Sequence, residues 1–123
     1  MDQNLINLAK QFVTQYYTTM QADKLKLVQF YGQNSTMTYG GDYFQGLKAI
    51  TEKIESFGFQ SIQFSIDDLD AQAGPVPNSF IIFVVGRLAM DGEDNFKFAQ
   101  CFNIMPNQSG GYYVHNDVFR LVI

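Results

Sequence analysis

The residues from Ser79 to Asp94 constrain the fold more than any other stretch, because they join the most apolar segment of the chain to its most acidic turn. Phe80-Ile81-Ile82-Phe83-Val84-Val85 is an unbroken run of β-branched and aromatic residues, the pattern of a centrally placed strand covered on both faces. Beyond it, Arg87 and Asp91 share one alternating face while Leu88 and Met90 hold the other, so the strand is expected to emerge into solvent on one side as it ends. Asp91-Gly92-Glu93-Asp94 follows. Asp-Gly between two strand-like runs signals a tight hairpin, since primed turns need positive φ and glycine accepts it freely. Three carboxylates are thereby displayed at a sheet rim.

A chain of 123 residues is expected to form a single domain, residues 1–123, with one core. With 12 Phe and 7 Tyr, that core is aromatic-rich and can be assembled from large, irregular shapes. The net charge of −4 argues against nucleic acid or an anionic membrane as the main partner, because those surfaces call for a basic patch. A basic protein partner fits better. Cys101 is the sole cysteine, which excludes an intrachain disulfide, and no basic-then-apolar leader precedes the first helical stripe. A reducing, intracellular compartment is the expectation. The longest apolar runs are far too short to span a bilayer.

Taken in order, Leu5, Leu8, Ala9, Phe12, Val13, Tyr16 and Met20 recur at helical spacing and form one apolar stripe. Asp23 is placed to cap a shorter helix carrying Leu27, Val28 and Tyr31 inward, with Gly32 ending it. Short strands are expected over Thr36 to Tyr39 and Asp42 to Phe44, around a Gly40-Gly41 turn. Gly46 opens a third helix with Leu47, Ile50, Ile54 and Phe57 on one face, closed by Gly58. From Ile62 the period changes to two, Ile62, Phe64 and Ile66 facing one way. After the loop Gly74–Asn78 come the Phe80 strand, an alternating strand through Phe96, Phe98, Phe102 and Ile104, a turn over Pro106 to Gly111, and a last strand from Tyr112 to Ile123.

Three helices early and long hairpin-linked strands late define an α+β domain, a cone-shaped, curved antiparallel sheet wrapped around the helices. The face of the sheet away from the helices still carries Phe and Ile side chains, so a homodimer is expected to bury it. Catalytic and metal signatures are lacking. His115 is the sole histidine, and with one cysteine neither a His cluster nor a zinc thiolate site can be built. No phosphate-cradling glycine loop occurs. By alternation His115 and Asp117 fall on the same strand face and form a conceivable acid/base pair; a rim or dimer-face histidine is the favoured reading, since nothing nearby supplies a nucleophile. Asp67, Asp68 and Asp70 read as a solvated strand end. No metal, cofactor or catalytic residue is expected.

Several stretches resemble one known family in order and spacing over essentially the whole chain. They are Tyr16-Tyr17, Phe44-Gln45-Gly46, Glu52-Lys53, Phe59-Gln60 with Ile62-Gln63, Val84-Val85-Gly86 with Leu88, and Asn116-Asp117-Val118-Phe119-Arg120-Leu121. The family is nuclear transport factor 2. The resemblance implies a dimeric carrier, not an enzyme, which takes the GDP form of the small GTPase Ran into the nucleus and touches phenylalanine-glycine repeats of nucleoporins. Such a carrier works in cytoplasm and nucleus, enriched at the nuclear pore. In the family a hydrophobic cavity receives an aromatic side chain from Ran, and acidic rim residues pair with a lysine and an arginine beside it. Carried over position by position, the cavity lining is Tyr39, Phe57, Ile62, Leu88, Phe96 and Phe119, and the rim carboxylates are Asp91 and Glu93, with Asp94 beside them. The repeat-binding position is Leu5, and the dimer positions are Phe83 and Val118.

Two departures stand out. Gly40 takes the place of a family glutamate, leaving Asp42 two positions on as the available carboxylate. Leu5 replaces a bulky aromatic, so it buries less area and cannot stack. The rival reading is a small-molecule binder or an isomerase or dehydratase on the same cone fold, since fold alone does not fix function. Such an enzyme needs an acid or base with a shifted pKa deep in the pocket, whereas the expected lining is apolar with its carboxylates at the edge.

Overall fold

The computed structural model describes residues 3–93 and 95–122. A long helix, α1 (Gln3–Ala22), is followed by a 3₁₀ helix (Lys24–Phe30), strands β1 (Tyr31–Tyr39) and β2 (Asp42–Gln45), and helix α2 (Leu47–Glu55). Strands β3 (Ile62–Ala73), β4 (Phe80–Met90), β5 (Phe96–Pro106) and β6 (Tyr112–Val122) complete the chain. The helical stripe read from the sequence is the buried face of α1, where Ala9, Val13, Tyr16, Tyr17 and Met20 lie against the sheet. Asp23 caps the next segment as expected, its carboxylate accepting from the Leu25 amide at 3.1 Å. That segment is a 3₁₀ helix rather than an α-helix, and Gly32 does not end it. The chain turns extended already at Tyr31, which begins β1 because its hydroxyl is held by Asp117 in the core. Gly58 likewise lies past the end of α2, where Ser56 N–H closes the helix on the Glu52 and Lys53 carbonyls.

The six strands form one curved sheet in the order β2-β1-β6-β5-β4-β3. Four of its pairings are antiparallel, as expected, and β1 with β6 is parallel, so the sheet is mixed. The cause is the crossover through α2, which carries the chain from one edge of the sheet to the other and leaves β6 to enter between β1 and β5. β4 is accordingly the neighbour of edge strand β3 rather than the centre of the sheet. It is also covered on one face only: Phe80, Ile82, Val84 and Leu88 are buried under the helices, whereas Phe83 is 46% exposed. An unbroken apolar run cannot distinguish a second helical layer from a second subunit, because either covering selects the same residues.

Two bulges re-aim side chains that strict alternation would place elsewhere. In β3 the register shifts between Ile66 and Asp68, which turns Asp67 out to an ion pair with Arg87 at 3.0 Å. In β6 it shifts at His115, since Asn103 faces Asn116 while Ile104 faces Val114. His115 and Asp117 therefore do not form the pair that alternation suggests: Asp117 points into the core, while His115 stands edge-on to Tyr113 with ring centroids 5.9 Å apart. Gly86 sits beside the first bulge, where the backbones approach so closely that a Cβ would lie 2.4 Å from the Ser65 carbonyl oxygen.

Gly86→Ala is thus expected to destabilise the protein by about 2 kcal/mol or more through backbone displacement. Gly58→Ala, with nothing within 4 Å of the added carbon, is expected to stay within about 0.5 kcal/mol. Urea denaturation of the two variants checks this, and equal stabilities would mean that β3 yields at no cost.

Candidate partner-binding cavity

The strand directions decide where the aromatic residues collect. β1, β4 and β6 end at one end of the sheet and β3 and β5 begin there, so Tyr39, Leu88, Phe119, Ile62 and Phe96 arrive at a common mouth. The loop after α2 adds Phe57, Gly58 and Phe59, and Met90 and Leu121 complete the apolar lining of a cavity of about 410 Å³. Its floor is a stack: Tyr39 lies on Phe119 at 4.5 Å and 11°, and Phe119 on Phe98 at 5.6 Å and 19°. Lys53 sits 5.3 Å over the Tyr39 ring, and Lys24 5.4 Å over Phe59.

All six residues expected to line the cavity do line it. Phe59, Met90 and Leu121 were missed, although Met90 and Leu121 stand two positions from Leu88 and Phe119, and strand alternation alone assigns them to the same face. Asp91 and Glu93 border the same cavity. Asp94 lies outside the described residues. Asp42 faces Tyr39 in the β1–β2 register but does not line the cavity, and Leu5 is half-buried on α1, packed against the edge of the core.

The acidic turn has the backbone that its sequence implies. Asp91 and Gly92 both have positive φ, 53° and 77°, and the Glu93 amide bonds the Met90 carbonyl at 2.9 Å, the pattern of a primed β-turn, although the β4–β5 ladder closes at Leu88 and Phe96 and so leaves a connection longer than a two-residue hairpin. The Asp91 carboxylate has a second task that the sequence does not reveal. One of its oxygens accepts from the amides of both Gln60 and Ser61, each at 2.8 Å, and the Asp91 amide bonds the Ser61 carbonyl at 2.9 Å. Glu93 makes no side-chain hydrogen bond among the described residues and presents its charge to solvent.

Beneath the aromatic floor lies a polar network. Tyr16 and Tyr31 share a hydrogen bond of 2.7 Å, Tyr31 donates to Asp117 at 2.6 Å, Gln100 donates to the other Asp117 oxygen at 2.8 Å, and Tyr17 donates to Gln100 at 2.6 Å. Burial raises the Asp117 carboxyl to about 6, against the hydrogen bonds from Gln100, Tyr31 and Tyr16, which favour the charged form. Burial likewise raises Tyr39 to about 12. An ionisable group with a displaced pKa thus does occur deep in the cone, beneath the apolar lining. It does not reach the cavity. Tyr39, Phe57 and Phe119 close the floor above it, leaving only a void of about 10 Å³ between.

The nuclear transport factor 2 (NTF2) domain matches residues 8–121. The chain belongs to the nuclear transport factor 2 family. It is 41% identical to nuclear transport factor 2 of Schizosaccharomyces pombe and 38% identical to that of Emericella nidulans; the alignments cover 93% and 94% of this chain and the same shares of those proteins. Nuclear transport factor 2 from Cryptosporidium parvum superposes with a TM-score of 0.93 at 38% identity, covering 99% of this chain and 98% of that one. These curated relatives carry the name of a transport factor rather than of an enzyme. The likeness of putative dehydratases at 11% and 12% identity shows the shared architecture alone.

The raised pKa of Asp117 fixes a sign. The folded state holds this proton more tightly than the unfolded chain, whose carboxyl titrates near 3.8, so the stability contributed is complete below about pH 4 and is lost as pH rises to about 6. Asp117→Asn lacks this term. The stability of the variant relative to the parent is expected to improve between pH 4 and pH 7 by up to about 3 kcal/mol, read from urea midpoints across the series.

Proposed function

We propose that this protein is a nucleocytoplasmic transport carrier that binds the GDP form of Ran through the cavity and its acidic edge. The observation that carries the proposal is the juxtaposition of an open, aromatic-lined cavity with two carboxylates on a rigid turn at its border. An aromatic anchor entering an apolar pocket supplies affinity, and charges around it orient the encounter and speed association. The arrangement suits a partner segment with an aromatic residue beside basic ones. On the side of the rim where Gly40 stands, its added carbon would meet nothing within 4 Å, and Asp42 across the turn is the available carboxylate. Affinity is expected to be lower than a glutamate at that position would give.

Nucleoporin repeats are proposed to contact the N-terminal part of α1 around Leu5. A second copy of the chain is proposed to cover the outer face of the sheet, where Asp70, Phe83, Cys101, Val118, Thr38 and Tyr43 form one cross-strand row. Phe83 is 46% and Val118 49% exposed, a concentration of apolar surface that a subunit interface would remove from water. The carrier is proposed to work between cytoplasm and nucleus at the nuclear pore. For the alternative of a small-molecule enzyme, the titratable groups on the cavity lining among the described residues are Tyr39, with its raised pKa, and the border carboxylates Asp91 and Glu93.

Calorimetric titration is expected to show binding to Ran loaded with GDP and none to Ran loaded with a non-hydrolysable GTP analogue; failure with both forms would remove the reading. Glu93→Lys is expected to weaken GDP-form binding at least about tenfold, since a like charge then faces the partner's basic residues. For the dimer, Phe83→Glu is expected to halve the mass seen by sedimentation equilibrium at micromolar protein while leaving the circular dichroism spectrum intact.

A further inference from the structure

The cavity wall contributed by Phe57, Gly58 and Phe59 belongs to no helix or strand, yet it is fastened from two directions. At its start the Lys24 ammonium donates to the Phe57 carbonyl and lies over the Phe59 ring. At its end Asp91 accepts from the Gln60 and Ser61 amides and returns a bond to the Ser61 carbonyl. The two residues come from distant parts of the sheet and helix layer, and each uses charge to hold neutral backbone, the kind of hydrogen bond that is roughly twice as strong as its uncharged counterpart. Among the described residues neither is engaged in an ion pair.

We infer that Lys24 and Asp91 are positioning residues that fix the aromatic wall of the cavity, and that Asp91 acts on partner binding through this wall as well as through its charge. The inference rests on the reading of the cavity as the seat of an aromatic anchor. Asp91 and Glu93 then divide the work of the acidic turn. Glu93 offers charge, and Asp91 sets the width of the pocket that the charge borders. A residue at position 91 must accept a φ of 53° and carry a short acceptor able to meet two amides, which asparagine also does, whereas alanine supplies no acceptor.

The decisive comparison is therefore Asp91→Asn against Asp91→Ala. Amide hydrogen exchange of residues 57–61 is expected to be within about threefold of the parent in the Asn variant and about tenfold or more faster in the Ala variant, with Lys24→Met accelerating the same segment. The neutral probe p-cresol, titrated by NMR, is expected to bind the Asn variant as it binds the parent and the Ala variant several-fold more weakly. Equal exchange in the Asn and Ala variants, whether both match the parent or both are fast, would overturn the inference, and this holds whether or not any ligand binds. Failure of GDP-loaded Ran to bind the parent would remove the carrier reading instead and leave the exchange comparison to decide the role of Asp91 and Lys24.

Discussion

The buried carboxylate of Asp117 is the tie on which the architecture depends. It is 2% exposed and reached by residues of three other elements, directly from β1 and β5 and, one hydrogen bond further, from two tyrosines of α1. A charge in such a place is costly unless its lone pairs are matched, and here they are matched by groups that can reach it only if α1 crosses the sheet at one position and β1 lies beside β6. The apolar contacts around it, such as Phe12 on Phe102 at 5.1 Å, supply most of the cohesion but tolerate sliding. The network does not. It also explains the bulge at His115, since the extra residue is what turns Asp117 inward where plain alternation after Val114 would turn it out.

From that tie the cavity follows. With β1 held parallel to β6, Tyr39 and Phe119 are delivered to the same end of the sheet and stack, and the stack seals the polar interior from the mouth. The outcome is a cone with two chemically separate compartments: an inner one with a titratable group and no access, and an outer one with access and a lining that carries charge only at its border. A binding site of this kind favours recognition of a side chain over transformation of a small molecule, because the buried carboxyl of Asp117 is withheld from anything that enters.

How much of this was legible in the sequence depended on the range of the interaction. Local signals were read well. The Asp91-Gly92 turn, the Asp23 cap and the buried stripe of α1 each reflect a backbone or periodicity rule that operates within a few residues. The six lining residues came from the collinear resemblance, and Met90 and Leu121 were within reach of simple alternation from two of them. What failed was non-local. Nothing around Tyr31 or Val114 states that β1 pairs with β6 in parallel, and nothing around His115 announces a bulge, because both are fixed by hydrogen bonds between residues up to 86 positions apart. The burial of Asp117 was hidden for the same reason: its partners are uncharged, and tyrosine and glutamine give no sign in a sequence that they face a carboxylate.

The acidic turn shows how one short motif can serve two ends without conflict. Position 91 lies in the left-handed region, where glycine, asparagine and aspartate are the residues at least cost, and it must also reach the two amides just before β3. Glycine meets the first demand and fails the second, which leaves the two Asx side chains. Their carbonyl-type oxygens are equivalent for holding the loop and differ in charge, so the choice of aspartate adds a negative potential at the rim to a geometry that asparagine would hold equally. Glu93, one residue past Gly92 and with a side chain that makes no hydrogen bond among the described residues, is under no such demand and can extend toward whatever cation approaches. The rim therefore combines a fixed carboxylate that shapes the opening with an unanchored one that faces solvent, and orientation and adaptability come from two residues of a single turn.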